Sequence, residues 1–274
     1  MRLLIFGPGY TASRLIARLE PRGWRIATVT REDFADRSRA AFEIAHATHI
    51  LSSVPPDVEG DPVLAAYGIE IAAGTAWLGY LSSTGVYGDT GGAWADESAP
   101  LAGRRGPRLA ADAAWGKLLN ARTFRLPGIY GPGRSALDRV AQGTATRVAA
   151  PGQVFSRIHV DDIVEGVIAG FDGPPGAYNL ADDAPAPQSD VLAYAAALLG
   201  TAPPPEVPLE SASLTPQARA FYSENRRIAN GKAKRVLGWR PRYPDYRLGL
   251  RALSAITSPA ITSPAPAPAS SDQR

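Results

Sequence analysis

The chain of 274 residues has no cysteine, a single methionine and three histidines. Without cysteine, disulfides, thiolate nucleophiles and thiolate metal sites are excluded. The histidines, His46, His49 and His159, lack metal-binding spacing, so we expect no metal. No apolar run reaches the roughly 20 residues of a membrane-spanning helix. The opening segment is too short for a signal-peptide core, and we expect a cytoplasmic protein with no membrane partner.

Excess charge of one sign is also scarce, because the net charge is only +3. Basic residues mostly alternate with acidic ones, which argues against a nucleic-acid partner. One exception is the basic segment 219–251, where ten Lys and Arg residues face only Glu224 and Asp245. This segment is either a solvated face or a lobe that favours an anionic substrate.

Short apolar runs alternate with helical patterns, which is typical of βαβ units. We therefore predict an α/β fold, a Rossmann-type doubly wound parallel sheet with a small C-terminal substrate lobe. The predicted NAD(P)-binding core covers 1–170, and the lobe covers 171–254 and interleaves with the core. Residues 255–274 repeat Ala-Ile-Thr-Ser-Pro and are predicted to form a disordered tail. Strands are predicted at 2–6, 25–30, 49–54, 77–82 and 123–126, and helices at 10–20, 62–73, 107–120, 188–199 and 232–237.

A glycine-rich turn joins the first predicted strand to the first helix. Its sequence is Gly7-Pro8-Gly9-Tyr10-Thr11-Ala12, a GxGxxA dinucleotide-binding pattern. Glycines permit a tight turn and close backbone approach, while the helix N-terminus offers N–H groups to a pyrophosphate. The predicted cofactor contacts in this turn are Gly7, Gly9, Tyr10 and Thr11.

The end of the second strand predicts which dinucleotide binds. Thr30 and Arg31 stand there, and a hydroxyl followed by a guanidinium suits the 2′-phosphate of NADP. NAD remains the alternative, because Glu32-Asp33 follows at once and a carboxylate suits a free ribose hydroxyl. Ser53 and Pro55 follow the third strand at the same edge of the sheet, and we expect them to contact the cofactor.

Further motifs occur in an order that resembles the extended and atypical short-chain dehydrogenases/reductases, in particular the NAD-dependent epimerase/dehydratase branch. The glycine turn itself lacks the family's usual glycines at the positions of Phe6 and Ala12. The motifs that follow it are Ser82-Ser83-Thr84-Gly85-Val86-Tyr87-Gly88, Asp96-Glu97, Arg125-Leu126-Pro127-Gly128-Ile129-Tyr130-Gly131, Arg157-Ile158-His159-Val160-Asp161-Asp162 and Tyr178-Asn179-Leu180. The resemblance covers residues 1 to about 250. It implies cofactor contacts from Pro127 and Ile129.

The same resemblance implies that the Ser83 hydroxyl binds a substrate oxygen, with Thr84 beside it. The family's catalytic tyrosine and lysine are missing. Matching Asp112 to the family's acidic helix position places Arg104 at the tyrosine and Arg108 at the lysine. Arginine stays protonated, so Arg104 cannot act as a general base.

Because arginine replaces the tyrosine, another side chain must act as the acid–base group. The nearest titratable candidates in the sequence are Asp96, Glu97 and Asp112. The leading hypothesis is an NADP-dependent oxidoreductase or epimerase acting on a small carbonyl, alcohol or sugar-like molecule. Two alternatives are a catalytically silent NADP-binding redox sensor and a nucleotide-sugar epimerase or dehydratase. For the oligomeric state, both a monomer and a homodimer are compatible with the sequence.

Overall fold

The computed structural model describes residues 1–257, and the remainder of the predicted tail lies outside the described residues. The strands are β1 Arg2–Phe6, β2 Arg25–Val29, β3 His49–Ser52, β4 Trp77–Ser83, β5 Trp94–Ala95, β6 Ala121–Leu126, β7 Gly128–Tyr130, β8 Arg147–Ala149, β9 Arg157–His159, β10 Gly176–Asn179, β11 Glu206–Pro208 and β12 Arg227–Ile228. The helices are α1 Tyr10–Leu19, α2 Arg37–His46, α3 Pro62–Ala73, α4 Gly106–Gly116, α5 Ala136–Ala141, α6 Val160–Ala169, α7 Gln188–Leu198, α8 Pro216–Phe221, α9 Gly231–Val236 and α10 Tyr246–Thr257. None of these helices is long and apolar enough to cross a bilayer.

Six strands form one parallel sheet in the order β10-β6-β4-β3-β1-β2. This confirms the predicted α/β class and Rossmann-type sheet. The strand order reverses at β1, which lies between β2 and β3. In open α/β sheets, ligands bind in the crevice at the carboxyl ends of strands beside such a reversal. The fold therefore directs attention to the residues that follow β1, β3 and β4.

Helices cover both faces of the sheet and bury its apolar side chains in two separate clusters. One face packs α1 and α6 around residues such as Leu15 and Val167, and the other packs α3 and α4 around Tyr67 and Trp115. Strands covered on both faces are expected to be almost continuously apolar, as Leu3–Phe6 is. The sheet is thus a rigid platform for the loops at its carboxyl edge.

Some element boundaries differ from those predicted from the sequence. Strand β3 ends at Ser52 rather than residue 54, and α4 ends at Gly116 rather than near residue 120. The basic, weakly amphipathic helix α2 was not predicted. Strand β10 lies beyond residue 170 and forms an edge of the main sheet. The predicted division into a core and a lobe stays a prediction. Residues 255–257 belong to α10, which therefore continues past the predicted start of the tail.

The elements after β7 form a further apolar cluster, which we call the C-terminal cluster. Helices α5, α7 and α10 supply most of its side chains. Its buried members are Tyr130, Ala136, Leu137, Ala145, Ala186, Val191, Leu192, Ala195, Tyr246, Leu250 and Leu253. This cluster forms one wall of the cleft described below.

Candidate functional site

The glycine turn has the strained, open geometry that dinucleotide binding requires. Gly7 has a φ of +73°, which L side chains rarely adopt, and a Cβ there would lie 2.8 Å from Cγ2 of Val54. Ser53 donates its hydroxyl hydrogen bond to the Gly7 carbonyl. Gly9 forms the N-cap of α1 without a capping side chain, which leaves that helix end open to an anion.

The end of β2 carries both groups that could select the dinucleotide, a carboxylate for NAD and a guanidinium for NADP. The strand ends at Val29, so Thr30 and Arg31 follow it directly. Asp33 accepts hydrogen bonds from the backbone and hydroxyl of Thr30, and these bonds lower the pKa of its carboxyl. Arg39 also binds Asp33, at 2.7 Å. Arg31 is exposed and makes no hydrogen bond or ion pair to any residue in the described range 1–257.

Strand β4 ends in three hydroxyl residues that point to different partners. Ser82 donates to Asp112 at 2.6 Å and is buried. Thr84 is buried, and its hydroxyl lies 3.5 Å from the carbonyl of Leu126. Ser83 is partly exposed, accepts a hydrogen bond from the backbone N–H of Gly85, and lines the main cleft. Of the three, Ser83 is therefore the one best placed to meet a ligand.

Asp112 belongs to a buried network beneath this strand end. Arg125 binds its carboxylate through two nitrogens, at 2.7 and 3.1 Å, and also donates to the Tyr87 hydroxyl. The Tyr87 hydroxyl in turn donates to Asn179 at 2.7 Å. Because both Asp112 oxygens are engaged inside the protein, this carboxylate stabilises the fold and does not face a substrate.

Arg104 binds a distant segment rather than pointing freely into the cleft. Its Nε lies 2.5 Å from Oε1 of Glu224, and its terminal nitrogen donates to the Ala220 carbonyl at 2.6 Å. Arg226 binds the other Glu224 oxygen and donates to the carbonyl of Gly88. Burial alone raises the pKa of Glu224, but the hydrogen bonds from the two arginines outweigh it and lower that pKa. We call this arrangement of Arg104, Glu224 and Arg226 the clasp.

A cleft of about 1180 Å³ runs from the glycine turn past Ser83 to the C-terminal cluster. It contains most of the site residues predicted from the sequence. These are Gly9, Tyr10, Thr11, Ser53, Pro55, Ser83, Thr84, Arg104, Arg108, Pro127 and Ile129. Gly7, Thr30 and Arg31 do not line it, since Gly7 lies beneath the turn and the other two lie beyond β2. The assignment of roles to these residues stays a prediction.

The cleft is rich in arginine, and the sequence did not reveal which arginines are free. Arg157 is buried and donates to two carbonyls and to Gln188. By contrast, Arg105 and Arg108 make no side-chain hydrogen bond or salt bridge within residues 1–257. Arg108 lies one helical turn before Asp112 on the same face of α4, and it lines the cleft together with Ser83. These two guanidinium groups are available to bind an anion.

The acidic residues considered as substitutes for the missing tyrosine do not line this cleft. Asp96 accepts hydrogen bonds from Ser98, which lower its pKa. Glu97 accepts from the backbone of Asn179; burial, its largest influence, raises the pKa of this carboxyl. Both side chains, like Asp112, hold loops in place. The sequence could not show this for Glu97, because its partner Asn179 is 82 positions away. Ser98, the partner of Asp96, is only two positions away.

The N-cap of α6 is a histidine rather than either of the two aspartates in its first turn. His159 forms the N-cap, and its ring accepts a hydrogen bond from the backbone of Asp161. Asp162 instead accepts from the backbone N–H groups of Arg242 and Tyr243, at 2.7 and 3.0 Å. Asp162 therefore fixes the segment that precedes α10.

Asp182 predicts a pH dependence of stability. Burial raises its pKa from 3.8 to about 8, although Arg157 opposes this. A raised carboxyl pKa means that the folded state binds the proton more tightly than the unfolded state does. The contribution of Asp182 to the free energy of unfolding therefore declines as pH rises from about 4 toward 8. Asp182→Asn should remove that decline. Urea unfolding at pH 5 and 8 tests this, and an equal decline in the variant would assign it to other groups.

No family model matches the chain. A functionally unknown conserved protein from Silicibacter pomeroyi has 46% identity and a TM-score of 0.85, with 93% of this chain and 98% of that one covered. A human epimerase family protein, solved with NADPH, has a TM-score of 0.71 at 15% identity, covering 93% and 99% of the two chains. The low identity of the second shows a shared fold only.

A curated relative from Streptomyces, 3-diazoavenalumate denitrifying reductase, is 35% identical over 142 residues. That match spans 46% of this chain and 45% of the reductase, so less than half of each protein is compared. Structures of NAD-dependent epimerases and dehydratases share the fold over more than nine-tenths of the chain. These likenesses, all below 25% identity, show that the chain shares the fold of the NAD-dependent epimerases and dehydratases. Its substrate and its acid–base group are specific to this chain and have to be argued from its own residues.

Proposed function

We propose that the protein is an NADPH-dependent reductase of small carbonyl compounds that carry an anionic group. The observation that supports this most strongly is the continuous cleft joining the glycine turn to Ser83 and to the unpaired Arg105 and Arg108. A dinucleotide site, a hydroxyl for the reacting oxygen and guanidinium groups for an anion thus share one space. When bound, the cofactor would supply a hydride.

The glycine turn fits such a cofactor. Gly9 lines the cleft, and a side chain there would enter the open space before the uncapped start of α1, whose N–H groups are free to meet a pyrophosphate. Ser53 and Pro55 form the opposite wall. Within this arrangement Ser83 would donate a hydrogen bond to the substrate oxygen, and Arg108 would hold either the substrate anion or a cofactor hydroxyl.

Arg31 predicts a preference for NADPH over NADH. A charge-assisted hydrogen bond contributes about 1.5–3 kcal/mol, so Arg31→Ala should weaken NADPH binding by about tenfold or more and leave NADH binding unchanged. Arg25→Ala, at the exposed opposite end of β2, is the matched control. Calorimetric titration of both cofactors measures the effect. Equal loss of NADPH and NADH affinity would contradict a 2′-phosphate contact.

Activity is tested with NADPH and para-carboxybenzaldehyde as an anionic aromatic carbonyl probe. We expect consumption of NADPH and formation of the alcohol, with benzaldehyde reduced less efficiently because it lacks the carboxylate. Arg108→Ala should bring the reduction efficiencies of the two aldehydes closer together, because it raises KM for the carboxylated probe. If the protein binds NADPH yet reduces no carbonyl in a broad panel, the catalytically silent NADP-binding module becomes the better account.

A second candidate is reductive removal of nitrogen from a diazo compound. The local match to the Streptomyces reductase favours it, as does the arginine at the position of the family's proton donor. In this reaction an aryl diazonium carbon gains a hydride, and dinitrogen leaves with the electrons of the C–N bond. No proton is needed. Release of dinitrogen from para-carboxybenzenediazonium, dependent on NADPH and protein, would support it, and a rate equal to the uncatalysed one would exclude it.

A further inference from the structure

Reduction of a carbonyl requires a proton as well as a hydride, and few cleft groups can provide one. Asp138 accepts two hydrogen bonds from Ser135 as part of a capping box. Glu224 is held between the two arginines of the clasp. Tyr10 donates its hydroxyl to the carbonyl of Pro132. These three side chains are engaged in holding the structure.

Tyr130 and Tyr246 also line the cleft, but both rings are buried in the C-terminal cluster. Tyr222 is neither engaged in this way nor part of that cluster. It follows α8 and lines the cleft, with its ring packed edge-on against Phe155 at 5.3 Å between centroids. Its hydroxyl makes no hydrogen bond to any residue in the part of the chain that the structure describes. Burial raises the pKa of Tyr222, partly opposed by Arg139 and Arg157. The phenol therefore retains its proton at neutral pH and can donate it.

The clasp fixes the segment that carries this side chain. Arg104 binds the carbonyl of Ala220 and the side chain of Glu224, and Tyr222 lies midway between those residues. Arg226 continues the connection from Glu224 to the carbonyl of Gly88, in the turn that follows Ser83. Gln153 further donates to the Glu224 carbonyl at 2.7 Å. Tyr222 is thus anchored to the same turn that begins at Ser83.

We propose that Tyr222 is the catalytic proton donor and that Arg104 is the positioning residue that holds Tyr222 over the cleft. This proposal rests on the proposed reductase function. In the reaction, the carbonyl carbon gains a hydride, its oxygen gains the phenol proton of Tyr222, and the C=O π bond breaks. Water then returns a proton to the phenolate. Arg104 thereby occupies the family's tyrosine position while the tyrosine itself comes from the C-terminal part of the chain.

The test compares two probes with the full chain. A general acid contributes about 10²–10⁴-fold, so Tyr222→Phe should lower kcat for para-carboxybenzaldehyde by that factor. KM and the Kd of NADPH should stay within about twofold, since the ring remains in place. Turnover of para-carboxybenzenediazonium, where it occurs, should not change, because that reaction takes up no proton. Tyr243→Phe removes the same hydroxyl outside the cleft and serves as the control.

The positioning role has a readout that does not depend on turnover. Arg104→Ala should increase amide hydrogen exchange across 219–225 in the cofactor-free protein and lower kcat for the aldehyde more than it raises KM. Arg104→Lys keeps a charge for Glu224 and should restore part of kcat. Unchanged exchange in Arg104→Ala would contradict the positioning role.

Failure of this proposal can be told apart from failure of the proposed function. If the wild type reduces the aldehyde and Tyr222→Phe keeps the wild-type kcat, Tyr222 is not the donor and the reductase function stands. If Tyr246→Phe, at the other end of the cleft, loses turnover while Tyr222→Phe does not, the donor is Tyr246. If the wild type binds NADPH but reduces neither this aldehyde nor any other carbonyl of the panel, both the carbonyl reductase function and the role of Tyr222 are overturned.

Discussion

Gly7→Ala is expected to weaken NADPH binding by about 10–100-fold, which corresponds to about 1.4–2.8 kcal/mol. The φ of +73° strains any L side chain by about 1–2 kcal/mol. The added Cβ would also meet Cγ2 of Val54 at 2.8 Å, so the turn must move away from the position that favours cofactor binding. Calorimetric titration with NADPH measures the loss.

Gly23→Ala is the matched control for this prediction. Gly23 has a similar φ of +79°, and a Cβ there would meet no atom within 4 Å. It lies before β2, away from the cleft. Both variants should lose stability through backbone strain, Gly7→Ala more so because of its contact with Val54, and only Gly7→Ala should lose NADPH affinity. Equal NADPH affinity in the two variants would show that the cofactor does not bind at the glycine turn.

This turn was predictable from sequence because its determinants are local. Glycine spacing, the preceding apolar strand and the following helix lie within residues 2–19, and they specify both the fold and the direction of the helix N-terminus. Ser83 was singled out through the family resemblance of its heptapeptide, and its role stays a prediction. Its heptapeptide places Ser83 between a buried strand and a tight turn.

Asp112→Ala is expected to destabilise the protein by about 3–5 kcal/mol, because it leaves the buried Arg125 guanidinium without its carboxylate. Arg125 has only 7% side-chain exposure, and Asp112 has 2%. Water therefore cannot replace the lost partner. The free energy of unfolding in urea, at constant pH and salt, measures the change.

The comparison for this variant is an exposed ion pair in the same protein. Glu165 binds Arg18 at 2.7 Å, but both side chains are more than two-fifths exposed. Glu165→Ala should cost no more than about 1 kcal/mol. If Asp112→Ala cost as little, the buried network would not hold the end of β4. The inference that Asp112 is structural and takes no part in catalysis would then lose its main support.

The clasp, in contrast, was beyond the reach of sequence reasoning. Arg104 and Glu224 are 120 positions apart, and nothing local marks them as partners. The basic segment 219–251 looked like a solvated or anion-binding face. In the structure much of that charge is used internally: Arg219 donates to the carbonyls of Leu209 and Ala212, and Lys234 binds Asp183. The same long-range packing explains why Tyr222 was not considered.

Binding of NADPH in the cleft beside Ser83 is tested most simply by direct titration of the full chain. We expect one molecule of NADPH per chain with a Kd of about 1 μM or tighter, equivalent to about −8 kcal/mol, and a clear loss in Gly7→Ala. Absence of binding at millimolar NADPH, or binding that Gly7→Ala leaves unchanged, would contradict the account.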